Sequence, residues 1–245
     1  MTALESARFV RSAHDLGDLP PAGPPEVAFA GRSNAGKSSA LNALARQSGL
    51  AHVSKTPGRT QLINFFRLAA GGLLVDLPGY GYARVPEALR RHWGRVLSEY
   101  LQSRESLQGL VLVMDIRHPL TELDQAMLTW FRPTGKPVHV LLTKADKLSR
   151  SQADRVLREV RAQLLGMAPT ASVQLFSALR RTGLEEADRT ISQWLGIALT
   201  AQDAGEKAAS EPGDTKAPST RGRASGPKDK KAPSQRGKLG AERLK

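Results

Sequence analysis

The sequence predicts an α/β protein built on a doubly wound, mixed six-stranded sheet with one antiparallel strand and helices on both faces. Three observations carry this. Short apolar runs alternate with amphipathic stretches from Glu26 to Gly196, the pattern of strands joined by right-handed helical crossovers. The runs Val111–Asp115 and Val138–Thr143 are apolar on both faces, as central parallel strands covered by helices on each side must be. Gln61–Leu68 and Leu73–Leu77 flank Gly71-Gly72, which reads as a hairpin and sets one strand against the rest. Strands are expected at 26–30, 62–68, 73–77, 109–115, 138–143 and 173–176, and helices at 37–46, 86–103, 120–131, 151–165 and 183–195.

Composition bounds what such a chain does. The 245 residues include no cysteine, which excludes a disulfide framework and a thiolate metal site. No stretch reaches the roughly 18 apolar residues of a membrane span, so no membrane partner and a cytoplasmic location are expected. The formal net charge is +13. Residues 200–245 carry eleven basic and six acidic side chains, and residues 1–199 carry 25 and 17. The folded part is therefore basic in its own right, which suits a polyanion such as RNA, unless the charge serves solubility alone.

Three regions are expected. Residues 1–25 form an N-terminal extension packing on the main domain, which spans 26–199. Residues 200–245, rich in Ala, Gly, Pro, Ser and Lys with Leu239 and Leu244 as their only large aliphatic side chains, bury too little apolar area to offset their ordering entropy and read as a basic disordered tail.

Ligands of a doubly wound sheet sit at the carboxyl ends of its strands, and four chemically distinctive segments begin there. Gly31-Arg32-Ser33-Asn34-Ala35-Gly36-Lys37-Ser38 fits G-x-x-x-x-G-K-[ST] between a strand and a helix, marking a P-loop NTPase. The glycines let the backbone wrap a phosphate, Lys37 reaches the β- and γ-phosphates, and the Ser38 hydroxyl can ligate Mg²⁺. Asp76, in Asp76-Leu77-Pro78-Gly79, closes an apolar strand and suits a water-mediated role at the same metal. Gly79 would offer its N–H to the γ-phosphate, and Tyr80–Ala83 would move when that phosphate leaves. In the loop Lys55–Thr60, Thr60 is the expected Mg²⁺ ligand, with Thr56 the alternative.

Thr143-Lys144-Ala145-Asp146 ends a further strand. The Asp146 carboxylate can accept from N1–H and N2–H₂ of guanine, a donor pair that adenine lacks. A site built on such bonds discriminates by roughly four to five orders of magnitude. The stem of Lys144 would cover the base, and Phe176-Ser177-Ala178 can supply a backbone N–H to guanine O6.

With these residues in place the chain resembles the EngB (YihA/YsxC) family of bacterial GTPases over about Ala7 to Leu195. The resemblance is carried by Glu26–Leu44 (EVAFAGRSNAGKSSALNAL), Thr56–Phe66 (TPGRTQLINFF), Asp76–Val85 (DLPGYGYARV) and Thr143–Asp146 (TKAD). It implies GTP and GDP binding, slow hydrolysis, Mg²⁺, action in assembly of the large ribosomal subunit on its rRNA, and a part in division-septum formation; a monomer is expected. It further implies nucleotide contacts from Gly31–Ser38, from Gly58, Arg59, Thr60, Gln61 and Leu62, from Asp76, Leu77, Pro78 and Gly79, from Thr143–Asp146 and from Phe176, Ser177 and Ala178. Ser38 and Thr60 would hold Mg²⁺. Lys37, Thr60 and Gly79 would carry catalysis. Thr143 stands where many GTPases have Asn, so a modest guanine affinity is expected.

Tyr80 follows Gly79 where Ras-like proteins place a water-orienting glutamine, which predicts slow intrinsic turnover. A small-molecule kinase and an RNA-gripping module are the competing readings. The TKAD element and the lack of a substrate domain argue against the kinase. Asn34 leaves two readings open: a polar loop residue satisfied by backbone, or a ligand for K⁺ beside the phosphates. Hydrolysis rates compared in K⁺ and Na⁺ decide between them. Faster turnover in K⁺ assigns the cation role, and equal rates assign Asn34 to the loop.

Overall fold

The strand from Glu26 to Gly31, β2, is buried along its whole length and organises the sheet around it. The computed structural model describes residues 3–51, 62–81 and 87–198, with backbone alone over 87–93. The described strands are β1 (Arg8–Ala13), β2, β3 (Ile63–Arg67), β4 (Leu73–Asp76), β5 (Leu107–Asp115), β6 (Val138–Thr143) and β7 (Ser172–Leu175). They lie in the order β1-β3-β4-β2-β5-β6-β7. Among them β2 pairs in parallel with β4 and β5, and β5, β6 and β7 continue in parallel. β3 runs antiparallel to both its neighbours, β1 and β4. The single reversed strand is the one the Gly71-Gly72 hairpin predicts. Both glycines have positive φ, 100° and 85°, which L side chains adopt at a cost.

The sheet has seven strands where six are expected. The extra one, β1, has the sequence RFVRSA and is exposed over its first four residues. It buries no alternating apolar face, so periodicity gives no signal for it. Backbone pairing to β3 and a Ser12–Asn64 hydrogen bond of 2.7 Å hold it in place.

Five helices cover the sheet: α1 (Lys37–Leu44), α2 (Glu87–Ser103), α3 (Glu122–Phe131), α4 (Arg150–Met167) and α5 (Leu184–Trp194). Alternate residues of β5 feed opposite cores. Leu110, Leu112 and Met114 pack with Val96 and Tyr100 of α2, Leu128 and Phe131 of α3, and Val160 and Leu164 of α4. Val111 and Val113 pack with Leu41 and Leu44 of α1 and Ala187 and Ile191 of α5. Period-2 alternation thus splits the helices between two faces. Trp194 lies against Gly109 so closely that a Cβ there would fall 2.5 Å from its ring.

At the amino end of β2 the fully buried Glu26 accepts from Tyr100 Oη at 2.8 Å, Ser106 Oγ at 2.9 Å and Arg104 Nη2 at 2.6 Å. A buried carboxylate is tolerated when its oxygens are satisfied in this way. Burial first, and the Glu26 charge second, push the Tyr100 hydroxyl well above its ordinary range. It therefore stays a donor and ties α2 to the sheet end opposite the phosphate loop.

Gly183 sets the turn that brings α5 back onto β7. Its φ is +76°, a Cβ there would overlap the Leu175 carbonyl oxygen, and its own carbonyl accepts from Gln174 Nε2 at 2.7 Å. Gly183→Ala is expected to lower stability by about 3 kcal/mol, measured as a shift of the urea midpoint with the slope unchanged.

Candidate nucleotide site

The phosphate loop leaves β2 through a glycine that has no room for a side chain. A Cβ on Gly31 would stand 2.7 Å from the Val113 carbonyl of β5. The chain then turns at Arg32–Ala35, closed by Ala35 N–H to Arg32 O at 3.0 Å. It passes through left-handed backbone at Asn34 (φ 63°) and Gly36 (φ 100°). Asparagine adopts this conformation more readily than most residues. Gly36 caps α1 and offers no side chain to its amides. The first amides of α1 are thus left for an anion.

Lys37 and Asp76 meet inside this loop. The Lys37 Nζ contacts Asp76 Oδ1, with side chains only 9% and 3% exposed. Buried charges of opposite sign satisfy each other here, and separating them without replacement would be costly. The ammonium shows that the pocket accepts a cation facing the Asp76 carboxylate. Ser38 follows on α1 and is half-buried. A hydroxyl and a carboxylate are the hard oxygen donors Mg²⁺ prefers, so the residues present fit that ion. The expected ligand Thr60, its alternative Thr56, and the expected contacts Gly58, Arg59 and Gln61 lie outside the described residues, as do Tyr82 and Ala83. Leu62 is described and packs against the core.

Beyond Asp76 the chain runs beside the phosphate loop. Leu77 N–H donates to Phe29 O at 3.0 Å, Tyr80 N–H to Gly31 O at 3.3 Å, and Ser33 N–H to Tyr80 O at 3.0 Å. Gly79 lies so near Ser33 that a Cβ would stand 3.5 Å from its amide nitrogen. The Tyr80 hydroxyl donates to Asp124 Oδ1 at 2.8 Å. Burial first, then the Asp124 charge, push that hydroxyl far above its ordinary range, so it remains a proton donor committed to α3.

The base-side residues come from β6 and β7. Thr143 is buried, and its hydroxyl lies on the Ala35 carbonyl at 2.5 Å and the Met114 carbonyl at 3.0 Å. Its side chain thus braces the phosphate loop. Lys144 (φ 58°) sends Nζ to Asn34 O at 2.7 Å and Asp115 Oδ2 at 2.8 Å, laying its stem across the site. Asp146 Oδ1 accepts from Ser177 Oγ at 2.5 Å, and Ala145 N–H donates to Phe176 O at 3.1 Å. The two segments expected to read the base are therefore brought together. Phe176 is fully buried, and Ala178 packs against the α1–α5 core.

Comparison with known proteins follows the same lines. A family model described as "50S ribosome-binding GTPase" matches residues 26–144. A probable GTP-binding protein EngB of Aromatoleum aromaticum is 58% identical over 197 residues, 80% of this chain and 91% of that protein. The Methylobacillus flagellatus counterpart is 60% identical over 195 residues, covering 80% and 94%. This chain belongs to the EngB family. Among solved structures, a probable EngB protein aligns with TM-score 0.57 at 19% identity over 71% of this chain and all of that one. Era in complex with MgGDPNP and a 16S ribosomal RNA fragment aligns with TM-score 0.57 at 22% identity, over 71% of this chain and 57% of that one. At such identities these likenesses speak for the fold alone, that of P-loop GTPases. Among the described residues, no helix is long and apolar enough to cross a membrane.

Two carboxylates of this EngB-family site were not expected from sequence. Asp115 closes β5 as Asp76 closes β4 and binds Arg117 through 2.9 and 2.6 Å contacts as well as Lys144. Burial works against its charge, yet these bonds hold its carboxyl well below the usual range. The rule that strands of this fold end in chemistry applies to it equally. Asp124, wholly buried, receives Tyr80, caps α3 through Thr121 and lies 3.4 Å from Arg32 Nε. The Thr121-x-x-Asp124 cap is a local pattern, but nothing local marks the contacts to Tyr80 and Arg32, which lie 44 and 92 positions away.

The Asp146 carboxyl is held below its ordinary pKa chiefly by the Ser177 hydroxyl. A folded-state pKa lowered in this way adds stability above the unfolded value, near 3.9, and that stability disappears as pH falls through the lower folded value. Ser177→Ala is expected to raise the Asp146 pKa toward that unfolded value. A carboxyl-carbon NMR titration reads the shift, and stability between pH 5 and 8 should not gain any new dependence on pH.

Proposed function

We propose that this chain is a GTP-operated switch that binds GTP with Mg²⁺, hydrolyses it slowly to GDP and phosphate, and acts in assembly of the large ribosomal subunit. The observation that carries the nucleotide reading is that the Lys37–Asp76 pair and the Asp146–Ser177 pair stand at the carboxyl ends of the parallel strands, linked by Thr143 and Lys144, which hold the phosphate loop. The residues for phosphate chemistry follow β2 and β4 and those for base recognition follow β6 and β7, at the same end of the parallel strands with β5 between. Membership of the EngB family and the match to a 50S ribosome-binding GTPase model support the ribosomal partner. The formal charge of residues 1–199, with 25 basic against 17 acidic side chains, suits a surface of rRNA. A part in division-septum formation rests on the family resemblance, and a cytoplasmic location and a monomeric state are proposed beside it.

Phosphoryl transfer needs positioning and charge neutralisation more than covalent chemistry. Lys37 would leave Asp76 for the β- and γ-phosphates. Asp76 would then face the cation through water, with Ser38 and Thr60 as its direct ligands. Bound Mg²⁺ would supply charge neutralisation at the phosphates. The amides of Asn34 and Gly36–Ser38 would surround the phosphates, and the Gly79 amide would sense the last of them. Tyr80 cannot orient the attacking water as a glutamine does, since its hydroxyl already serves Asp124. Slow turnover follows, with acceleration left to the partner. The left-handed backbone at Asn34 is reason enough for an asparagine there, so a K⁺ beside it rests on the rate comparison alone.

The test is nucleotide choice. The protein should bind labelled GTP and GDP but not ATP, and turn over below about 10⁻² s⁻¹ unassisted. Asp146→Asn replaces an acceptor pair with one acceptor and one donor. It should lose guanine by at least about 100-fold and gain xanthine, whose C2 carries a carbonyl. ATP binding equal to GTP binding would refute the switch reading. Co-sedimentation with large subunits, compared between a non-hydrolysable GTP analogue and GDP, tests the partner.

A further inference from the structure

The outer edge of the sheet carries side chains that nucleotide chemistry does not use. β1 is the edge strand, and its register sets Arg8 opposite Arg67 and Arg11 opposite Phe65, with an irregularity between Phe9 and Arg11. Phe65 packs into the core beneath α2, α3 and α4, and side chains two apart on a strand share a face. Arg67, Arg8 and Arg11 therefore gather on one face of the edge, and all three are exposed. Among the described residues, no carboxylate lies within ion-pair distance of them. The nearest influence is electrostatic, at Asp18, whose carboxyl is lowered in small part by Arg11 and mainly by backbone hydrogen bonds. Like charges directly opposite on an antiparallel pair are destabilising, so Arg8 and Arg67 cost the isolated fold something.

The other face of the same edge is aromatic. Phe9 stands opposite Phe66 and meets it edge-to-face with ring centroids 6.0 Å apart. Phe66 is buried, yet Phe9 remains 57% exposed and Val10 41% exposed. Phe9 is thus a ring fixed from one side and open on the other. Charges on an edge strand guard it against pairing with another chain. That explains one arginine. It does not explain two set directly opposite each other, nor an exposed Phe-Val pair that such guarding would remove.

We infer that the β1–β3 edge is an RNA-docking surface, with Arg8, Arg11 and Arg67 on backbone phosphates and Phe9 against an unstacked base. Phosphates supply the missing counter-charge, and flat bases supply a partner for an open ring, the pairing by which single strands are held without sequence choice. The inference rests on the ribosomal reading above for its class of partner. It adds the face that engages the RNA, on a sheet edge made of different elements from the nucleotide site.

The test uses the full chain, an Arg8→Gln/Arg11→Gln/Arg67→Gln variant and Phe9→Ala. Each is titrated with a short fluorescein-labelled single-stranded RNA between about 50 and 200 mM salt. Removing three phosphate contacts should make the slope of log K against log salt shallower by about 2. Phe9→Ala should weaken binding about tenfold with the slope kept. Unchanged GTP hydrolysis and a thermal midpoint no lower than wild type would show that the triple variant folds. Wild-type binding that all variants reproduce in affinity and slope overturns the inference and leaves the ribosomal reading standing. Weaker binding to large subunits without any change in RNA binding assigns the edge to an acidic protein and overturns it as well. A wild-type chain that binds neither RNA nor large subunits overturns both.

Discussion

The site depends on one constraint: a loop of backbone must hold an open, anion-shaped curve with no helix or ladder to define it. Residues 32–36 meet it by being held from outside. The Thr143 hydroxyl lies on the Ala35 carbonyl, the Lys144 ammonium on the Asn34 carbonyl, and the Tyr80 carbonyl receives the Ser33 amide. Three contacts, two from the end of β6 and one from the segment after β4, thus fix the curve that β2 and α1 only begin. A loop braced in advance has less to reorganise when phosphate arrives, which is what preorganised electrostatic binding requires.

The charges follow the same logic. Lys37 and Asp76 satisfy each other inside the loop, and Lys144 and Arg117 share Asp115 at its rim. Neither carboxylate would be tolerated alone at such burial. Each cation is also what a bound nucleotide would draw on, Lys37 for its phosphates and Lys144 for the flank of its base. Arg32, Tyr80 and Asp124 extend the brace to α3. The segment that follows Gly79 is in this way joined to a helix as well as to the phosphate loop.

Much of this was legible from residues alone, for identifiable reasons. β2, β4, β5, β6 and β7 are short apolar runs between turn residues, and all appear within two residues of their expected bounds. The P-loop spacing, the strand-ending Asp76 and the pairing of Asp146 with the Ser177 segment are local or strand-end patterns, and the structure brings them together. β1 was not legible, because a strand held by backbone pairing with four exposed side chains leaves no periodic trace. Asp124 was hidden for a related reason: its role comes from Tyr80 and Arg32, distant in sequence and joined only by folding. Thr143 also places its hydroxyl on the loop, a use that its position in TKAD does not reveal.

The sequence by itself determined the candidate residues and their order along the chain: a phosphate-loop motif, Asp76 and Asp146, each at the end of an apolar strand. It also determined the two-faced apolar strands and the reversed hairpin, since periodicity and glycine are properties of neighbouring residues. Tertiary structure alone decided which side chains brace the loop, that Lys144 reaches Asp115, and that Arg67 and Phe66 come to lie opposite Arg8 and Phe9. Those are contacts between residues tens of positions apart. Their energies depend on distance and burial, and neither exists until the sheet has closed over its two cores.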